Sequence, residues 1–87
     1  MINKDAFRVV RNSILVDVRP QKNGALGGPL ISLTEYRYDT GGDADMWIVD
    51  LGLFGIDPVT VYRGAHGVLD WRDAIVQAAK ERRVYLS

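Results

Sequence analysis

Asp39, Asp43, Asp45 and Asp50 form the densest set of chemically active side chains in the sequence. They fall at offsets 1, 5, 7 and 12 of a calcium-binding loop, and Met46 supplies an apolar residue at offset 8. A hard cation needs several oxygen ligands on one turn, and clustered carboxylates offer them. Three features of the stretch oppose that use. Gly41 has no side-chain oxygen at offset 3, Ala44 stands where a glycine is needed for the sharp turn, and the flanks read as strands. The expected arrangement is a polar turn that displays its acids, with no metal site and no cofactor.

Asp39-Thr40-Gly41 resembles the catalytic triplet of retroviral-type aspartic proteases. That resemblance implies two such aspartates sharing one proton across a dimer. In the family the triplet follows an apolar strand; here it follows Tyr36-Arg37-Tyr38, and no second triplet occurs downstream. His66 is the only histidine, and it precedes a helix signal at Asp70. It could act as a general base oriented by Asp70, but no Ser or Cys nucleophile accompanies it. A turn-shaping role is the expectation. The glycines of residues 24–29 lack the Lys-Ser/Thr ending of a phosphate loop. No catalytic set is complete, and the chain is expected not to be an enzyme.

Tyr36-Arg37-Tyr38 and Tyr62-Arg63 interleave aromatics with guanidinium groups. On an exposed sheet face, such residues could stack single-stranded bases and contact phosphate. The neighbouring acids would repel a phosphate backbone, and cross-strand aromatic packing explains the same pattern without a ligand.

Charge is segregated along the chain although it sums to zero, with 11 basic and 11 acidic residues. Residues 39–58 carry five acids and no base. Residues 1–38 carry six bases and three acids, and residues 59–87 five bases and three acids. Eight of the bases are Arg, the residue suited to bidentate pairing and enriched in interface cores. Intramolecular balance is one consequence of this layout; oppositely charged patches offered to partners is the other.

The elements that must position these groups read as follows. Asn3, Ile2, Ala6, Phe7 and Val10 suit a short N-terminal helix, while the branched Val9-Val10 pair favours extended chain, so both remain open. Residues 14–19 alternate as a strand that Pro20 ends, and residues 22–29 form a Gly-rich loop. Residues 30–38 form a second strand of mixed pattern. Residues 46–53 form the most apolar one, placed centrally, and residues 59–63 a fourth. Asp70 caps a helix in which Trp71, Ala74, Ile75, Ala78 and Ala79 share a face, with Trp71 supplying a large buried area at one end. Residues 84–86 read as a last strand or a returning tail. The fold class is therefore α+β: a small antiparallel sheet of four to five strands with one amphipathic C-terminal helix on one face.

At 87 residues the chain is one domain, residues 1–87, of ordinary globular composition with 47% hydrophobic and 25% charged residues. It has no cysteine, so disulfides, thiolate nucleophiles and Cys-ligated zinc are excluded. No apolar run approaches a membrane span, and the start lacks a secretory-signal layout, so a cytoplasmic location is expected. The chain begins at Met1 without linker-like sequence, which suggests a whole gene product. The expected function is a small non-enzymatic protein–protein interaction module, of the kind seen in phage- or mobile-element-encoded inhibitors such as anti-CRISPR proteins. Its partner would carry a basic surface. The residues expected to meet it are Asp39, Asp43, Asp45, Tyr36, Arg37, Tyr38 and Arg63. A domain this small often gains stability by forming a homo-oligomer such as a homodimer. The alternatives are a single-stranded nucleic-acid binder using the Tyr/Arg face, and a metal protein or hydrolase centred on residues 39–50.

Overall fold

Alternation of side chains between two faces, one of them buried against the helix, governs the central strands. A computed structural model describes residues 8–16, 20–22, 25–26, 31–37 and 42–86. In chain order the elements are β1 (Arg8–Val16), β2 (Pro20–Lys22), β3 (Ala25–Leu26), β4 (Ile31–Arg37), β5 (Met46–Asp50), β6 (Val59–Tyr62), a 3₁₀ turn (Ala65–Gly67), α1 (Trp71–Arg82) and β7 (Tyr85–Leu86). The fold is α+β, with two antiparallel sheets and one C-terminal helix.

The main sheet has the order β1-β4-β5-β6, so β4 and β5 are interior. Register pairs Leu33 with Val49, Glu35 with Trp47, and Trp47 in turn with Val61. Ile31, Leu33, Trp47, Val49, Val59 and Val61 are buried together with Ala74, Ile75, Ala78 and Ala79 of α1. The alanines let the helix backbone approach the sheet closely. The opposite sheet face carries the row Tyr36–Met46–Tyr62, with Thr34, Ile48 and Thr60 in the next row.

Local chemistry sets both ends of α1. Asp70 Oδ1 accepts the Asp73 N–H at 3.0 Å, and Asp73 Oδ2 accepts the Leu69 N–H at 3.0 Å. At the other end Arg83 is left-handed, with φ 55°. Its N–H bonds Lys80 O at 3.2 Å and the Val84 N–H bonds Ala79 O at 2.9 Å, the paired bonds of a Schellman stop, with Val84 buried beside it. Lys22 Nζ donates to Arg82 O at 2.6 Å, placing an ammonium at the negative end of the helix dipole.

The single sheet of four to five strands expected from sequence is corrected to two sheets. The second has the order β3-β2-β7, with Pro20 opposite Leu86 and Gln21 opposite Tyr85. Pro20 thus opens a strand rather than closing one; the first strand position tolerates its missing donor. Within the expected Gly-rich loop, residue 22 ends β2 and residues 25–26 form β3. Of the N-terminal segment left open between helix and extended chain, residues 8–11 lie in β1, the extended alternative that branched Val9-Val10 favour. The rest of that segment, residues 1–7, lies outside the described residues, as do 17–19 of the first expected strand. Register shifts between Val9 and Arg11 and between Arg11 and Ile14 mark bulges in β1. Trp71 is half-buried, packed against the core edge rather than within it. Among the described residues no helix is long and apolar enough to cross a membrane.

Candidate functional site

Several of the residues singled out from sequence converge at one end of the main sheet. Glu35 and Arg37 come from the last turn-ward positions of β4, Asp43 and Ala44 from the segment entering β5, and Trp47 from β5 itself. Leu69, Asp70 and Trp71 come from the entry to α1. Together they line a cleft of 250 Å³. A second cleft, of 520 Å³, is lined by Asp43, Asp45, Arg63, Gly64 and Leu69. Asp43 and Leu69 line both, so the two clefts adjoin, and together they make up the groove.

Asp45 fixes the groove to the sheet. Its N–H bonds Tyr36 O at 2.8 Å, and its carbonyl accepts the Arg63 N–H at 2.9 Å. Its carboxylate takes the Arg63 guanidinium at 2.8 Å. The acid of the turn and the base after β6 therefore neutralise each other in part, which is the intramolecular balance that the charge layout suggests. Asp43 is exposed.

The floor is built from a buried acid and an indole. Glu35 is the one buried charged side chain among the described residues, at 4% exposure. Trp47 lies opposite in register and donates Nε1–H to Glu35 Oε1 at 3.3 Å. Trp71 forms the rim, with the Arg72 guanidinium 4.8 Å above its ring. Both tryptophans of the chain thus line the groove. Leu69 adds an apolar side chain at 71% exposure.

Arg37, Asp43, Asp45 and Arg63 are therefore brought together. Tyr36 is not: alternation puts its side chain on the opposite sheet face, in register with Met46 and Tyr62. Arg37 lines the cleft on the helix side, so the Tyr/Arg interleaving of the sequence separates onto two faces. Tyr38 and Asp39 lie outside the described residues. Glu35, Trp47 and Leu69 are groove residues that no sequence motif marks, while Asp70 and Trp71 are marked there as a helix cap and a packing residue rather than as site residues. The signal for Glu35 was present, an acid sharing a strand face with Ile31 and Leu33.

The metal and catalytic alternatives meet a different geometry. Asp45 is held by Arg63, and Asp50 Oδ1 accepts the Gly52 N–H at 2.9 Å. Among the described residues no group of three His, Cys, Asp or Glu is placed to hold a metal ion. His66 is exposed, with φ 54° inside the 3₁₀ turn, and Asp70 is committed to capping α1 rather than to orienting an imidazole. The groove gathers carboxylates from Glu35, Asp43, Asp45 and Asp70, both indoles, and the guanidinium groups of Arg37 and Arg63, with Glu35 and Trp47 buried beneath it. Comparison with protein-family models, with curated proteins and with solved structures finds no match to this chain.

Proposed function

We propose that this chain is a non-enzymatic protein-binding module that engages a basic surface of another protein through the groove between the entry to β5 and the entry to α1. It would act as an inhibitor by occupying that surface, in the manner of small phage- or mobile-element-encoded inhibitors. The observation that carries the reading is the convergence of acids and indoles from three separate segments on one groove. Acidic rims steer a basic partner and fix its register, and the half-buried Trp71 and exposed Leu69 supply apolar contact area.

The test begins with affinity capture from the native host, identification by mass spectrometry, and titration of the purified partner. Asp43→Lys is the informative variant, because Asp43 is exposed whereas Asp45 also holds Arg63. A loss on the order of tenfold, with thermal unfolding unchanged, is expected. Unaltered binding would remove the groove from the interface.

A second reading keeps one specific observation. Tyr36 and Tyr62 flank Met46 on the sheet face opposite α1, a geometry able to stack bases. Titration with labelled single-stranded DNA and RNA at low salt tests it, since phosphate contacts are strongest there; no shift under those conditions excludes it.

A further inference from the structure

We propose that Phe54 is the apolar anchor of a second contact, seated in an apolar pocket of a partner protein whose rim carries Lys or Arg. The proposal rests on the reading of this chain as a protein-binding module, and it does not depend on the groove.

Phe54 is 106% exposed, fully outside the fold, yet the chain around it is fixed. Leu51 and Leu53 before it are buried, at 0% and 8% exposure, and Ile56 after it packs against the same core. Ile56 N–H closes a four-residue turn on Leu53 O at 3.2 Å. Gly55 takes the left-handed third position of that turn, with φ 80°, which side-chain-bearing residues rarely adopt. On the near side Asp50 Oδ1 holds the Gly52 N–H. On the far side the Arg82 Nε–H reaches Asp57 O at 3.4 Å. The phenyl is thus presented on a braced turn, so docking it carries little loop-ordering cost. Among the described residues none covers it.

Charge selects the occupant. Asp50 and Asp57 flank the turn and are exposed, and Arg82 is the base that reaches it, through the Asp57 carbonyl. Between residues 39 and 62 the sequence has no Lys or Arg. Two copies meeting at this turn would set like charges against each other. An anionic lipid surface would repel the same acids. A pocket with a basic rim is complementary to both the phenyl and its acidic flanks.

The experiment places p-benzoylphenylalanine at position 54, with Thr60, also exposed, as control site. After irradiation in host cells, the protein cross-linked at 54 is purified and titrated with wild type, Phe54→Ala, Asp50→Lys/Asp57→Lys and Asp43→Lys. The expected result is that Phe54→Ala weakens binding on the order of tenfold while unfolding stays unchanged, and that the double lysine variant also weakens it. Wild-type affinity of Phe54→Ala overturns the proposal; if Asp43→Lys still binds weakly, the groove reading survives alone, and if neither variant changes binding both fall. Cross-linking at 54 no greater than at 60, adducts only between copies of the chain, or Phe54-dependent pelleting with phosphatidylglycerol vesicles each overturns it as well.

Discussion

Replacing Asp70 tests how far the entry to α1 serves the fold and how far it serves the groove. The first turn of a helix leaves four N–H groups without intrahelical partners. Asp70 Oδ1 takes one of them, the Asp73 N–H, at 3.0 Å, and the same residue lines the groove. Removing that acceptor with Asp70→Ala is expected to cost about 1 kcal/mol. In a domain of this size that lowers Tm by about 4–8 °C. Asp70→Ser keeps an oxygen at the cap and removes only the charge, so its cost is expected to be a few tenths of a kcal/mol, from the lost dipole interaction. The Leu69 N–H to Asp73 latch is intact in both variants, so the difference between them reports the cap alone. Circular dichroism on heating, repeated in urea, measures it, with an unchanged urea slope required for a stability interpretation. The gap between Ala and Ser should survive high salt, because it comes from a hydrogen bond rather than from long-range charge. Equal melting of the two variants would refute the assignment of Asp70 as the cap. For binding, both variants should weaken a basic partner alike, which separates the charge in the groove from the stability of the helix.

Two further outcomes follow from particular contacts. Trp47→Phe removes the donor to the buried Glu35 Oε1 together with part of a fully enclosed ring, and is expected to cost about 2 kcal/mol; chemical denaturation reads the loss, and an unchanged midpoint would show that the pair contributes nothing. Arg83→Gly relieves a left-handed non-glycine residue at the Schellman stop, against a larger unfolded-state entropy, for a net gain of about 0.5 kcal/mol and a Tm higher by about 2–4 °C; scanning calorimetry checks the direction, and a lower Tm would contradict it.

Elements whose signals are local were legible in the sequence. α1 was marked by a capping acid and a spaced apolar face, and it runs Trp71–Arg82 as those features imply. β4, β5 and β6 were marked by alternation and β-branching, although β5 ends at Asp50, before Leu51 and Leu53 leave the ladder to anchor the following loop. The second sheet was not legible. β3 and β7 have two residues each, too few to display a period, and Pro20 meets Leu86 across most of the chain length. Such pairing is decided by tertiary closure, which no local window records. The groove was half legible for a related reason. Residue type picked out Arg37, Asp43, Asp45 and Arg63, but the face to which each points depends on register, and register separated Tyr36 from Arg37.

Glu35 shows why the groove and the core are not separate problems. An acid at an inward strand position disfavours burial unless its oxygens find donors, and a neighbouring strand must place one there. The β4–β5 register does so by setting Trp47 opposite, and a one-residue slip would carry the indole to the other face and leave the carboxylate without that donor. The register that gives Glu35 Oε1 its donor is the same one that aligns Leu33 with Val49 in the apolar core and brings Asp45 within reach of Tyr36 O and the Arg63 guanidinium. The polar floor therefore helps specify strand pairing, and strand pairing in turn fixes the spacing of the carboxylates along the groove. Any substitution that improves the core by making position 35 apolar removes one constraint on that register while removing one of the groove's acids, so core packing and the charge beneath the groove are coupled through a single side chain.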